Sequence, residues 1–315
     1  MDPLAEIQGE SPAIEAVRAQ IRRLLARATA GRRLPAVLIE GETGSGKGLI
    51  ARTLHQAGPR ARGPFVDVNC AAIPETLLEA ELFGFERGAF TDARQAKPGL
   101  FHTAHHGTIF LDEIALLPEA LQAKLLKAIE EGAVRRLGST RSEPADVWII
   151  SATNADLAGA VRERRFREDL YHRLAVLTLA LPPLRDRGGD VLLLAERFLE
   201  RACAEYGLPP RQLGEDAKAR LTAYAWPGNV RELSNVMERV ALLADGAVVP
   251  GHLLDLPAAG PTLPEPGPAV TAGSLDEAMG DHMRAVLEET GWNISRTAAR
   301  LGISRNTLRA RIARL

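Results

Sequence analysis

The sequence predicts an α/β protein with a parallel sheet, followed by a helical part. Five short apolar runs alternate with helical stretches, and only helical patterns follow Leu184. The runs are residues 35–40, 64–68, 107–113, 146–153 and 176–183. Because strands that alternate with helices typically pair in parallel, we expect one sheet that is covered on both faces.

The first helix is predicted over residues 11–28. Ser11 can cap this helix, and Pro12 suits its first position. Apolar residues recur along it at helical spacing, namely Ile14, Val17, Ile21, Leu24 and Leu25. This periodicity is typical of an amphipathic helix packed on a core.

Composition indicates a globular chain. With 315 residues, 46% hydrophobic and 25% charged, it is long enough for about two or three domains. It contains no apolar run of about 18 residues and no signal-peptide pattern at its start, which predicts a cytoplasmic protein. Cys70 and Cys203 are too few for a disulfide framework or a zinc site, so we expect two packed thiols.

Four regions are predicted along the chain. An α/β core covers residues 1–184, and a smaller, all-helical domain covers residues 185–256. Residues 257–273 are rich in Pro, Gly and Ala and are expected to form a linker. A final helical module covers residues 274–315.

A phosphate-binding motif, GETGSGKG, lies between an apolar run and a helical stretch. Its residues are Gly41, Glu42, Thr43, Gly44, Ser45, Gly46, Lys47 and Gly48. The glycines let backbone N–H groups turn inward, and the lysine reaches the outer phosphates. Residue 48 lacks the hydroxyl that usually holds Mg²⁺ at this position, which leaves a degenerate, non-binding loop as the alternative.

The run GTIFLDE ends in two carboxylates that complete a nucleotide-hydrolysis site. Asp112 would hold the metal, and Glu113 would activate water for attack on the γ-phosphate. The carboxyl end of a parallel strand is where such side chains meet a ligand. Alone, the pair would be an ordinary solvated strand end, but the phosphate-binding motif favours hydrolysis.

From about Ile7 to its end, the chain resembles the AAA+ domain and flanking parts of bacterial sigma-54-dependent transcription activators, also called enhancer-binding proteins. The matching motifs are GETGSGKG, FVDVNCAAIPETLLEAELFG, GAFTDA, GTIFLDEI, SATNADL, FREDLYHRL, LPPLRDR and WPGNVREL. The resemblance implies an AAA+ P-loop ATPase core, a helical lid over residues 185–256, and a ring, usually a hexamer, with ATP and Mg²⁺ between neighbouring subunits.

Further roles follow from the same resemblance. Asn69 corresponds to the residue that restrains Glu113 until the target engages. Thr153 and Asn154 resemble the first nucleotide sensor, and Arg231 resembles the second sensor, which links phosphate state to lid angle.

Two arginines in FREDLYHRL resemble the pair that the family inserts into the adjacent subunit's γ-phosphate. They are Arg167 and Arg173, and a guanidinium suits developing phosphoryl charge. Delivery from a neighbour makes hydrolysis depend on assembly. Without the resemblance, each would be interpreted as a surface ion-pair partner.

The segment GAFTDA resembles the loop with which the family touches sigma-54. Its residues are Gly88, Ala89, Phe90, Thr91, Asp92 and Ala93. Phe90 would be the contact aromatic, and the alternative is that its ring folds back on a neighbouring apolar surface. Asp92 stands where the family has Gly, so the loop is either tuned or weakened in its coupling.

The C-terminal residues predict a DNA-binding helix-turn-helix, which resembles the Fis type. From Trp292 onward there are six arginines and no acidic residue. We expect DNA contacts from Arg296, Ser304, Arg305, Asn306, Thr307 and Arg309. The alternative is an arginine-rich, solvated helical hairpin.

Together these features predict an activator that binds enhancer DNA and uses ATP hydrolysis to remodel RNA polymerase holoenzyme carrying sigma-54. Two alternatives stay open, namely another AAA+ remodeller or DNA motor, and an ATPase-inactive DNA-binding repressor. The core begins within about ten residues of Met1. Control by a separate protein, constitutive competence and a fragment of a longer chain are all compatible with that beginning.

Overall fold

A computed structural model describes residues 3–28, 34–90, 93–256, 294 and 297. The chain separates into two compact units, Met1–Leu256 and Pro257–Leu315. The predicted linker and the six DNA-contact residues lie outside the described residues, as do Thr91, Asp92 and all of the helix-turn-helix module except Ile294 and Thr297. Within the described residues, no helix has both the length and the apolar character needed to cross a bilayer.

The described residues of the first unit form ten α-helices and eleven strands. The helices are α1 (Pro12–Ala28), α2 (Lys47–Ala57), α3 (Glu75–Phe83), α4 (Leu100–Thr103), α5 (Glu119–Glu131), α6 (Leu157–Arg162), α7 (Glu168–Leu174), α8 (Asp190–Glu205), α9 (Glu215–Ala223) and α10 (Asn229–Leu243). The strands are β1 (Val37–Glu40), β2 (Phe65–Asn69), β3 (Gly84–Phe85), β4 (Lys97–Pro98), β5 (Thr108–Asp112), β6 (Ala133–Arg135), β7 (Ser142–Pro144), β8 (Trp148–Thr153), β9 (Leu177–Ala180), β10 (Gln212–Leu213) and β11 (Val248–Val249).

The five predicted apolar runs form one parallel sheet with the order β2-β5-β8-β1-β9. All six residues of β8 are buried, and so are the first four residues of β5. One apolar cluster, which includes Leu38, Ile109 and Leu170, covers one face of the sheet. Another, which includes Ile39 and Phe110, covers the other face. Burial on both sides explains why the central strands β1, β5 and β8 are continuous apolar runs.

The first helix begins at Pro12, as predicted, and Ser11 Oγ accepts the Ile14 N–H at 3.4 Å. Four of the five predicted apolar residues of this helix are buried, and Leu25 is partly buried. Cys70 and Cys203 are both buried free thiols, as expected.

Residues 185–256, called the lid below, pack α8, α9 and α10 around a separate core. Trp226 is fully buried there, and its Nε1 donates to the Leu221 carbonyl at 2.9 Å. The expectation that no strand follows Leu184 needs a correction, because β10 and β11 form a two-residue parallel pair. This pair is too short to leave an alternating pattern in the sequence.

Candidate functional site

The carboxyl ends of four neighbouring strands, β2, β5, β8 and β1, gather the predicted nucleotide residues at one edge of the sheet. The phosphate loop, residues 41–48, follows β1 and runs into α2. Thr153 pairs in register with Glu40, and its carbonyl accepts the Gly41 N–H at 3.2 Å. Asp112 ends β5 and lies in register with Asn69 at the end of β2. The topology therefore brings together residues that are far apart in the chain.

The phosphate loop has the backbone geometry that an anion cradle requires. Gly44 and Gly46 adopt positive φ angles of 77° and 108°, which favour glycine. A Cβ at Gly46 would meet no atom within 4 Å, so the space beside this residue is open. Ser45 Oγ is buried and has no hydrogen-bond partner among the described residues. An open cradle at a helix N-terminus with an orphaned hydroxyl fits a bound phosphate group.

Lys47 is 7% exposed and is held by its own loop. Its Nζ donates to the carbonyls of Gly41, at 2.9 Å, and Glu42, at 3.3 Å. It also lies 3.8 Å from Glu113 Oε1. The cation is therefore at the cradle, beside the carboxylate predicted to be the base.

Glu113 follows β5 in a left-handed backbone conformation, with φ of 54°. Its N–H donates to Asp112 Oδ1 at 3.0 Å, and its Oε2 accepts the Asn154 N–H at 3.4 Å. Positive φ in a glutamate is uncommon, and such strained residues are concentrated at functional sites.

The predicted sensors lie on both sides of the loop. Asn154 Nδ2 donates to Thr43 Oγ1 at 2.9 Å, which joins the end of β8 to the phosphate loop. The Arg231 N–H donates to the Gly44 carbonyl at 3.3 Å, while the Arg231 side chain is exposed. Asn69 Oδ1 accepts the Ala71 N–H at 2.9 Å. Its described contacts thus close a local turn, and the predicted restraint of Glu113 by Asn69 stays a prediction.

The two predicted finger arginines lie at opposite ends of α7. Arg167 caps the start of the helix, is exposed, and pairs with Asp169 at 2.7 Å. Arg173 lies in the last turn and lines a cavity with Trp148, the first residue of β8. That cavity is at the amino ends of the strands, on the edge away from the phosphate loop of the same chain.

The loop that contains GAFTDA rises from the two-stranded β3–β4 ladder. Phe83 and Phe101 stack at the base of this ladder, with ring centroids 5.6 Å apart. Gly88 has a φ of +82°, and its N–H donates to the Ala93 carbonyl at 2.8 Å. The Phe90 ring lies 4.8 Å from the Phe85 ring and is 41% exposed. The aromatic therefore rests against the stem of its own loop while it keeps a large exposed area.

At position 48, an added Cβ would approach only Phe110 Cε1, at 3.9 Å. The glycine is therefore not required by close packing. Nothing in the described structure explains its presence there.

Three lid residues contact the phosphate loop through an ion pair and hydrogen bonds that the sequence motifs did not predict. Arg185 forms a two-pronged ion pair with Glu42, with N–O distances of 2.6 and 2.9 Å. Asn229 Nδ2 donates to Glu42 Oε2 and to the Thr43 carbonyl. Arg187 Nη2 donates to the Ser45 carbonyl at 2.8 Å. The motifs LPPLRDR and WPGNVREL contain these three lid residues, but their spacing says nothing about this contact.

Acid is expected to loosen the lid through Glu42. Hydrogen bonds from Arg185 and Asn229 lower the pKa of the Glu42 carboxyl from 4.5 to about 2. Because the folded-state pKa is the lower one, this stabilisation is complete above pH 4.5 and is lost as pH falls towards 2. Between about pH 5, above this window, and about pH 3, inside it, the midpoint of thermal unfolding should drop less for Glu42→Gln than for wild type.

The exposed carboxylate Glu200 supplies the control for this experiment, as Glu200→Gln. The midpoint of the control should fall between the two pH values by as much as that of wild type. If the midpoint of Glu42→Gln falls by the same amount, the Glu42 ion pair does not contribute to acid sensitivity. The effect should be modest, since the Glu42 side chain is 40% exposed.

Three family models match the chain in succession. One described as "Sigma-54 interaction domain" matches residues 7–180. One described as "AAA+ ATPase lid domain" matches residues 185–260. One described as "Bacterial regulatory protein, Fis family" matches residues 280–315.

Individual relatives agree with these matches. The chain is 46% identical over 98% of its length to the response regulator protein PilR of Pseudomonas aeruginosa, and covers 69% of that protein. It is 45% identical over 86% of its length to the regulatory protein AtoC of Escherichia coli, but covers only 60% of it.

The solved structure of NtrX from Brucella abortus in complex with ATP superposes with a TM-score of 0.72 at 34% identity. This match covers 99% of the chain and 70% of NtrX. The chain therefore belongs to the sigma-54-dependent transcription activators, and its α/β core with the lid is the AAA+ ATPase of that family.

Proposed function

We propose that the chain activates transcription by hydrolysing ATP in a ring oligomer that remodels sigma-54 RNA polymerase holoenzyme. The C-terminal module, residues 274–315, would anchor the ring to enhancer DNA. The observation that carries the proposal is the joint position of Lys47 and Glu113, whose charged atoms lie 3.8 Å apart beside an open glycine cradle. Polymerase and DNA as partners would place its work in the cytoplasm.

When bound at this site, ATP would supply the phosphoryl group and Mg²⁺ the charge that neutralises it. Lys47 would exchange its contacts with loop carbonyls for contacts with the outer phosphate oxygens. Asp112 would hold the metal as one carboxylate ligand, since Mg²⁺ usually keeps several waters and shares phosphate oxygens. The described residues contain no cluster of three or more His, Cys, Asp or Glu side chains that could hold a metal ion by themselves.

Glu113 would accept a proton from the attacking water. Its neighbours keep the carboxylate at the site, because the Asn154 N–H and the Lys47 ammonium both face it. Thr153, Asn154 and Arg231 would register the phosphate state, and Asn69 would restrain Glu113 in the resting state. This last step requires Asn69 to leave its turn with Ala71.

The two arginines at the ends of α7, Arg167 and Arg173, would act on a neighbouring subunit. Arg167 is exposed, and its guanidinium pairs with the exposed carboxylate of Asp169, a pair that costs little to break. Arg173 lies near the amino ends of the strands, whereas the phosphate loop of the same chain lies at their carboxyl ends. Arg173 would therefore act on the nucleotide of another chain. An active site shared by two chains would make hydrolysis depend on the oligomer, with a hexamer as the proposed form.

The 88–93 segment would carry the force to sigma-54. Phe90 is 41% exposed at the end of a stem whose base is packed by Phe83 and Phe101. Release of the Phe90 ring from Phe85 would supply an aromatic contact for a partner. Thr91 and Asp92, which belong to the same predicted contact, lie outside the described residues.

Open-complex formation by sigma-54 polymerase on a responsive promoter tests this function. We expect activation by wild type and at least a tenfold loss for Phe90→Ala, since a central aromatic contact typically contributes about 2 kcal/mol or more. ATP turnover of Phe90→Ala should stay near the wild-type rate. Asp92→Gly, tested in parallel, measures how the family-atypical residue affects coupling.

Two outcomes would favour the other functions. ATPase activity that is stimulated by DNA, without binding to sigma-54, would indicate a different remodeller or DNA motor. Turnover no faster than that of Lys47→Ala would indicate an ATPase-inactive DNA-binding protein.

A further inference from the structure

Three consecutive carbonyls of the phosphate loop are held by donors from the lid. The pairs are Thr43 O with Asn229 Nδ2 at 3.1 Å, Gly44 O with the Arg231 N–H at 3.3 Å, and Ser45 O with Arg187 Nη2 at 2.8 Å. These groups lie on the side of the loop that faces the lid. The loop is therefore bound from outside, and not only shaped by its own glycines.

Because the peptide bond is planar, a donor that holds a loop carbonyl also orients the N–H of the following residue. All described peptide bonds are trans, so each C=O points away from the N–H of the following residue. A Ser45 carbonyl held towards the lid turns the Gly46 N–H away from it, and a held Thr43 carbonyl does the same for the Gly44 N–H. The Ser45 N–H differs, because it donates back to the Glu42 carbonyl at 3.2 Å.

Arg187 is the strongest of the three donors. It is 4% exposed, and its guanidinium also donates to the Pro182 carbonyl from both Nε, at 3.0 Å, and Nη2, at 2.8 Å. Burial lowers the pKa of this guanidinium, and nearby Asp190 opposes that shift. Charged donors make hydrogen bonds roughly twice as strong as neutral ones. The Ser45 carbonyl would be left without this donor if Arg187 were truncated.

Asp190, three residues after Arg187, binds residues near the start of the chain. Its carboxylate accepts the N–H groups of Glu10, at 2.6 Å, and Ser11, at 3.0 Å, as well as the Ser11 hydroxyl. The α8 end that follows Arg187 by three residues is thus bound to residues 10 and 11.

We propose that Arg187 is a positioning residue for nucleotide binding, which aims the Gly46 N–H at the phosphates by holding the Ser45 carbonyl. Asn229 does the same for the Gly44 N–H through the Thr43 carbonyl. Arg187 touches the loop from behind and not the nucleotide. The proposal rests on the phosphate loop being the nucleotide site of this ATPase, and it is independent of sigma-54 remodelling. Because linkage is reciprocal, phosphate binding then stabilises the docked lid to the same extent.

The test compares Arg187→Met with Arg185→Met in the full chain. Both remove one guanidinium from the same segment, but Arg185 holds only the Glu42 side chain. Titration with ADP should show affinity weakened about tenfold or more for Arg187→Met, the scale of one charge-assisted hydrogen bond, and a smaller loss for Arg185→Met. Arg187→Lys should recover part of the affinity, since one ammonium cannot span both carbonyls.

A second readout needs no nucleotide. With ¹⁵N-glycine labels, the Gly46 amide resonance of nucleotide-free protein should move in Arg187→Met more than in Arg185→Met. A role in folding alone would lower the unfolding midpoint without this selective change at Gly46.

The proposal is overturned if Arg187→Met folds and binds ADP within about twofold of wild type, or if Arg185→Met loses as much. Should Arg187→Met fail to fold, Asn229→Gly decides the matter, because glycine tolerates the φ of 54° and removes the Thr43 donor. Unchanged ADP affinity in Asn229→Gly then overturns the proposal. A wild-type chain that binds no ADP contradicts the nucleotide site itself, which separates the two failures.

Discussion

Replacing Glu113 with glutamine is expected to slow ATP turnover by about 10²- to 10⁴-fold while nucleotide remains bound. The amide keeps the size of the side chain and can still accept the Asn154 N–H, but it cannot take a proton from water. Steady-state phosphate release measures the turnover, and ADP titration measures the binding.

Glu215→Gln provides the matched control, because this exposed carboxylate lies at the start of α9, away from the phosphate loop. Turnover by this variant should equal that of wild type. If Glu113→Gln keeps more than about a third of wild-type turnover, another group is the base and the proposed role of Glu113 is wrong.

Replacing Gly44 with alanine is expected to separate the lid from the phosphate loop. The new Cβ would lie 2.2 Å from the Gly228 carbonyl oxygen. A Cβ and a carbonyl oxygen are both fixed by the backbone, so no side-chain rotation can relieve this clash. The φ of +77° adds about 1–2 kcal/mol of strain for any side chain. We expect a loss of more than about 2 kcal/mol in unfolding free energy, measured by urea denaturation, together with weaker ADP binding.

Gly132→Ala is the control that has the backbone strain of a positive φ without a steric clash. Gly132 ends α5 with a φ of +60°, and a Cβ there meets nothing within 4 Å. It should cost about 1 kcal/mol and leave ADP binding unchanged. Equal losses for the two variants would mean that the lid does not press on Gly44 in solution.

The sheet could be predicted from the sequence because its three central strands, β1, β5 and β8, are buried on both faces. Ile109 and Phe110, on opposite faces of β5, are both buried, so the strand is a continuous apolar run. The pairs β3–β4 and β10–β11 could not be predicted, since two residues carry no alternation. Their pairing depends on elements packed nearby.

The candidate site was only partly predictable. Gly44, Gly46 and Lys47 follow from a local motif, because the backbone turn and the lysine belong to one short segment. Asn69 and Arg173 carry roles by resemblance, and their described contacts are a local turn and a distant cavity. In the proposed ring, the contacts of these two residues would depend on the nucleotide state and on the neighbouring subunit.

By itself, the sequence determined the layers, the order of the motifs and the chemistry available at the ends of β1, β5 and β8, because each is encoded by residues close together in the chain. Only the tertiary structure decided which donors hold the phosphate loop. Asn229 Nδ2 reaches the Thr43 carbonyl across 186 residues, and Arg187 reaches the Ser45 carbonyl across 142. No local pattern encodes such pairs, since a hydrogen bond depends on the distance and angle between two atoms and not on their separation along the chain.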